Sequence, residues 1–187
     1  MKVYGSYTSP FVRHCRIVLL QTGLQHQFIE TDAATSANLS PTKKVPLLID
    51  NGVTLTDSSS IIKYLREKSG QPFFADVADF ELFNMSNTVL DACVNIFFLE
   101  LDGIKLAQSH YLQRQHARVL SGLMALNKRT FSHELPLSDG ELRLACFLNW
   151  GLYRRRIDLS ELPVLQHLLA LANTDKEFIA TAPPAID

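Results

Sequence analysis

The residues best placed to do chemistry are hydroxyls near the start of the chain: Tyr4, Tyr7 and Ser9, the last within Tyr7-Thr8-Ser9-Pro10-Phe11. Pro10 fits the first position of a helix, where its missing N–H costs nothing, and Ser9 fits the cap just before it. Phe11, Cys15, Val18 and Leu19 then recur at helical spacing, and Gly23 stands where a C-terminal cap belongs. Ahead of them Lys2-Val3-Tyr4-Gly5-Ser6-Tyr7 alternates like a strand. The pattern predicts a strand that ends in a hydroxyl aimed at a helix start, where open N–H groups and the positive dipole end favour an anion. Arg13 and Arg16 add positive charge in the first two turns. Serines also cap helices routinely, so capping and anion binding stand side by side as readings of Ser9.

Other reactive side chains form no constellation. Cys15, Cys93 and Cys146 are far apart, each on an apolar helical face, with no Cys-x-x-Cys pair. They read as inert core thiols in a cytoplasmic protein. The six histidines make no metal-ligand spacing, and no metal site is expected.

The elements that must position Ser9 follow in order. Gln27-Phe28-Ile29-Glu30 reads as a second strand, and residues 33–44 as a polar loop with at most one helical turn. Val45-Pro46-Leu47-Leu48-Ile49-Asp50 and Val53-Thr54-Leu55-Thr56 flank Asn51-Gly52, a two-residue hairpin signal. The Val45-Pro46 bond is a candidate cis peptide. A helix carrying Ile61, Ile62 and Leu65 opens about Asp57-Ser58 and ends before Gly70 and Pro72.

Beyond a linker about Gly70 to Phe74 the chain shows only helical periods. They run through Leu82 to Ile96, Leu112 to Leu126, Leu142 to Leu148 and Leu165 to Ala172, and Thr174-Asp175-Lys176-Glu177 caps a last turn. Ser138 with Glu141 three residues on is a capping box. Phe97-Phe98 and Trp150-Tyr153 read as core aromatics, and Arg154-Arg155-Arg156 as a solvated helix end.

Bulk properties exclude several classes. The 187 residues are 47% hydrophobic and 20% charged, as in ordinary globular proteins. A net charge of -1 argues against nucleic-acid binding. No uninterrupted apolar run approaches a membrane span, and the start lacks a signal-peptide pattern.

The motifs together resemble the glutathione S-transferase superfamily, through Ser9-Pro10-Phe11-Val12-Arg13, Lys44-Val45-Pro46-Leu47-Leu48, the stretch from Asp57-Ser58 to Leu65, and the tail Phe178 to Pro183. The likeness is nearest to small bacterial glutathione S-transferase-like proteins with Ser-Pro-Phe at the first helix. It implies an α/β thioredoxin-like domain with a mixed four-stranded sheet over residues 1–72, and an all-α domain over residues 78–187 that contributes the acceptor pocket. It also implies glutathione as co-substrate. Val45, before Pro46, would pair its main chain with the cysteinyl part; Asp57 and Ser58 would receive the γ-glutamyl end; Phe11 would border the site. Ser9 would be the catalytic hydroxyl, donating to the sulfur so that the thiolate is favoured, with Tyr7 its rival.

The implied activity is conjugation of the glutathione thiolate to small hydrophobic electrophiles by a cytoplasmic homodimer, formed about residues 62–67 and 80–90. The alternative is a binding or regulatory protein of the same fold, of the transcription-associated type, with little or no transferase activity. Two departures stand out. Ser9 occupies the place of the cysteine in thiol-transferase relatives, and Asp139-Gly140-Glu141 replaces the small-residue-then-Asp sequence usual after the capping serine, with Gly140 weakening the helix start by up to ~1 kcal/mol.

Overall fold

The computed structural model describes residues 1–185. In chain order they form β1 (Lys2–Gly5), α1 (Pro10–Thr22), β2 (Gln27–Glu30), α2 (Ala33–Leu39), β3 (Leu47–Asp50), β4 (Val53–Leu55), α3 (Ser58–Lys68), α4 (Val77–Leu101), a 3-10 turn (Leu106–Gln108), α5 (His110–Leu126), α6 (Asp139–Tyr153), α7 (Pro163–Ala172) and α8 (Lys176–Ala180). Two compact units result. The first combines Met1–Phe73 with the described residues from Asn173 onward, and the second is Phe74–Ala172. The expected division ran the helical part from 78 to 187. In the structure its final segment, α8, packs on α1 instead, because Arg13 and Arg16 hold it there. The last two residues of that expected domain lie outside the described residues.

The first unit is built on a sheet of order β2-β1-β3-β4. β1 runs parallel to β2, since α1 carries the chain back across the sheet, and antiparallel to β3, which pairs antiparallel with β4. Val3, Leu47 and Leu48 from the strands, Val12, Cys15, Ile17, Val18 and Leu19 from α1, and Ile61, Ile62 and Leu65 from α3 make its core. Asn51 (φ 46°) and Gly52 (φ 84°) both adopt the left-handed region that a two-residue hairpin of type I′ requires. Helix α2 is longer than the single turn expected: Asp32 accepts from the Thr35 N–H at 2.7 Å and starts seven residues of helix. Asp50, buried at the far end of β3, accepts from Tyr64 Oη at 2.8 Å and from Lys68.

In the second unit α4 packs against both α5 and α6. By length and composition α4 is long and apolar enough to cross a membrane; 44% of its most apolar window is buried inside the protein. Its start is tied to α6 by a carboxylate. Asp79 Oδ1 accepts from Ser138 Oγ at 2.6 Å and from the Gly140 N–H at 2.9 Å. A Cβ at Gly140 would lie 2.4 Å from that oxygen and 2.7 Å from the Asp79 carbonyl. Gly140 is thus the condition for close approach, and not merely a weak helix former. The capping box is complete: Glu141 accepts from the Ser138 N–H at 2.9 Å and Ser138 Oγ from the Glu141 N–H at 3.2 Å.

The arginine run differs from a solvated helix end. Arg156 pairs with Glu100, and the Arg154 guanidinium stands 5.2 Å from the Phe97 ring, so of the three only Arg155 is exposed. Trp150 is buried edge-on to Phe97, whereas Phe98 is 58% exposed. Cys15, Cys93 and Cys146 are buried free thiols, and burial pushes Cys93 up to about 11. No group of His, Cys, Asp and Glu among the described residues could hold a metal.

Candidate active site

Strand direction decides which residues meet. Tyr4 pairs with Leu47, and Leu48 with Leu55. The C-terminal end of β1, the N-terminal end of β3 and the C-terminal end of β4 therefore lie at one end of the sheet. β1 leads there into Ser9 and α1, Val45-Pro46 enter β3 there, and β4 leads there into Asp57 and α3. Two helix N-termini consequently open at the same end, and each directs partial positive charge to it.

Ser9 is extended (φ −81°, ψ 127°) and caps α1, its Oγ accepting from the Val12 N–H at 3.3 Å while its carbonyl accepts from the Arg13 N–H at 2.9 Å. The Ser9 N–H is turned back to the Ser6 carbonyl at 3.1 Å, which fixes the loop between strand and helix. Capping uses a lone pair of the hydroxyl and leaves its O–H proton for another acceptor, so the two readings of Ser9 are compatible. Phe11 is half-buried at the second helical position.

Tyr7 is engaged differently. Its ring lies 4.9 Å from that of Phe28, and the Arg16 guanidinium stands 4.5 Å from the Tyr7 centroid and 5.4 Å from that of Phe28. Burial, opposed by Tyr7 and reinforced by Arg13, holds Arg16 below the usual guanidinium value.

At the neighbouring strand the Val45-Pro46 peptide is cis. Val45 is half-buried and lies beyond Tyr4↔Leu47, the last registered pair of β1 and β3, so its main chain stands outside the ladder. Asp57 is exposed and caps α3, accepting from the Ser59 N–H at 2.8 Å. Ser58 is buried, and its carbonyl lies 3.9 Å from the Cys15 sulfur, which ties α3 to α1. The structure thus gathers Ser9, Phe11, Val45, Pro46, Asp57 and Ser58 at one end of the sheet. Arg13 is not among the groups facing that end, because its guanidinium is buried against α8. The tail's role in holding α1 is the part that sequence reasoning missed. Phe178 to Pro183 stood out as a motif, but nothing local points from it to a residue 165 positions earlier.

Known proteins agree with this architecture. Residues 3–73 match the family model described as glutathione S-transferase, N-terminal domain. Glutathione S-transferase U6 of Arabidopsis thaliana is 33% identical over 72 residues, covering 36% of this chain and 32% of its own. The GST-like protein YibF of Escherichia coli (strain K12) is 40% identical over 70 residues, covering 35% of each. The chain spans about a third of the length of these curated relatives in the matches. A crystal structure of a glutathione S-transferase from Methylobacillus flagellatus KT with GSH bound superposes with a TM-score of 0.83 at 22% identity, over 98% of this chain and 99% of that one. Residues 3–73 thus match the glutathione S-transferase N-terminal domain, and the chain as a whole shares the fold of that solved glutathione S-transferase.

Proposed function

We propose that the protein binds glutathione at the sheet end where α1 and α3 begin and transfers its thiolate to small hydrophobic electrophiles. The observation that carries this reading is the convergence of two capped helix N-termini with the Val45 main chain, which stands outside the ladder. The ligand's extended cysteinyl segment pairs with Val45 as an added strand would. Its γ-glutamyl carboxylate meets the start of α3 at Ser58, and its ammonium meets Asp57. The sulfur then lies at Ser9. A free thiol titrates near ~8.5, so only a small fraction is ionised at neutral pH. A hydroxyl donor backed by a helix start raises that fraction, about tenfold for each ~1.4 kcal/mol of preferential interaction with the thiolate. Ser9 donates a hydrogen bond and forms no covalent intermediate.

The bound GSH of the Methylobacillus flagellatus structure and the three buried free thiols support a glutathione-dependent protein of the cytoplasm. Assembly as a two-fold homodimer belongs to the same reading and is measured by light scattering at micromolar concentration. The function is tested by retention on immobilised glutathione, followed by turnover of a chloronitrobenzene acceptor. Retention with turnover is expected. Retention without turnover would replace the transferase by a binding or regulatory protein, and failure to be retained would remove glutathione from the reading.

A further inference from the structure

The start of α1 is held from outside by the last helix of the chain. Arg13, in the first turn and only 4% exposed, gives its N–H to the Ser9 carbonyl at 2.9 Å. Its guanidinium turns to α8: Nη2 donates to the Phe178 carbonyl at 2.8 Å, Nε lies 3.4 Å from Thr181 Oγ1, and the central carbon stands 3.7 Å from the Phe178 ring centroid. One turn further, Arg16 donates to the Thr181 carbonyl at 3.2 Å. The acceptors are themselves fixed. Thr181 Oγ1 donates to the Glu177 carbonyl at 2.9 Å, and Asp175 caps α8 by accepting from the Phe178 N–H at 2.8 Å. Phe178 and Thr181 are buried. A planar fork on fixed acceptors, with a ring against its face, locks direction as well as distance.

We propose that the segment from Asp175 to Thr181 is a positioning element for the start of α1, and that Arg13 transmits its hold to Ser9. The proposal rests on the glutathione reading above. Hydrogen bonds weaken steeply with misalignment, so a small displacement of the first turn costs the Ser9 hydroxyl part of its interaction with a thiolate. Arg13 is a positioning residue, and the property it sets is the ionisation of the bound thiol.

Removing Arg13 also removes a positive charge, so the test uses variants that keep it. Thr181→Val deletes the hydroxyl at constant size, Phe178→Leu deletes the ring, and Arg13→Lys keeps the charge but not the fork. Each is made in the full chain, and the pKa of bound glutathione is read from thiolate absorbance against pH, with glutathione affinity by calorimetry. Each variant is expected to raise the bound-thiol pKa by about half a unit to one unit, or roughly three- to tenfold less thiolate at neutral pH. Glutathione affinity should stay within about twofold, and amide exchange at residues 12–16 should quicken. Thr181→Val alters least and keeps the test open if a more severe variant fails to fold. An unchanged pKa in Thr181→Val and Arg13→Lys, with a raised one in Ser9→Ala, overturns the proposal and leaves the Ser9 reading standing. A bound thiol in the natural protein that titrates like free glutathione overturns the Ser9 reading and the positioning role with it.

Discussion

Gly140→Ala sets intrinsic propensity against packing. In an exposed helix the change would stabilise by up to ~1 kcal/mol. Here the new methyl carbon would stand 2.7 Å from the Asp79 carbonyl oxygen and 2.4 Å from its carboxylate oxygen, with Leu82 Cβ at 3.2 Å. Ordinary contact begins near ~3.5 Å, so α4 and α6 must separate locally by several tenths of an ångström or more. Overpacking of this kind costs about 1–3 kcal/mol. The separation also stretches the 2.9 Å bond from the Gly140 N–H to Asp79, a charge-assisted contact worth about 1.5–3 kcal/mol. Allowing for overlap between the two costs and for the propensity gain, Gly140→Ala should destabilise by about 2–4 kcal/mol. Urea unfolding followed by circular dichroism measures this as a lower midpoint at an unchanged slope. In an Asp79→Ala background the cost should shrink, since the nearer obstacle and the hydrogen bond are both gone. A variant as stable as the natural protein would refute the close-approach argument.

Three further outcomes are expected. Ser9→Cys puts a thiol at a helix N-terminus, and its lowered pKa should let it form a mixed disulfide with oxidised glutathione; intact mass should show one adduct, mapped to position 9, and no adduct would count against an anion-stabilising site there. Asp57→Asn keeps an N-capping side chain but not the negative charge, so stability should change little while glutathione binding weakens by roughly 1.5–3 kcal/mol by calorimetry; equal affinity would remove Asp57 from the site. Hydrogen bonds donated by Lys68 and then Tyr64 hold Asp50 below the usual aspartate value, and those that Lys68 donates to Asp50 and Tyr64 raise Lys68. The natural protein's stability advantage over Asp50→Asn should be complete above the unfolded aspartate value of ~3.9 and vanish as pH falls through the lower folded value; a difference constant down to about pH 2 would exclude the linkage.

What the sequence made legible was whatever is decided within four residues. Ser9 and Gly23 bound α1, Asn51-Gly52 turns the hairpin, Asp57 caps α3, and the Ser138–Glu141 box starts α6, each by a short-range rule. The same reasoning should have found α2, since Asp32 ahead of Ala33 is a capping signal that the polar stretch after it obscured. Other features depend on what a residue meets across the fold. Gly140 looked like a weak helix start until Asp79 stood beside it. Arg154 and Arg156 looked like solvated charges, yet one lies on Phe97 and the other on Glu100. Arg13 looked like charge for an anion, whereas its guanidinium is occupied at the far end of the chain. The candidate site residues stand out in the sequence because a motif marks each of them. Their convergence needed the strand register.

The return of α8 to the first unit has a consequence for how the chain is made. Synthesis is vectorial, and domains generally fold as they emerge, at about 5–20 residues per second. Residues 1–73 leave the ribosome first, but Phe178 and Thr181, which complete the surface around Arg13, come after the whole helical unit. The first unit therefore waits, on the order of 5–20 s, for its last piece. During that interval the face of α1 that α8 will cover is open to solvent and to chaperones, although the sheet behind it can already pair. A stall just before α8 emerges would thus act on the first unit and not on the helical one, which is made before α8.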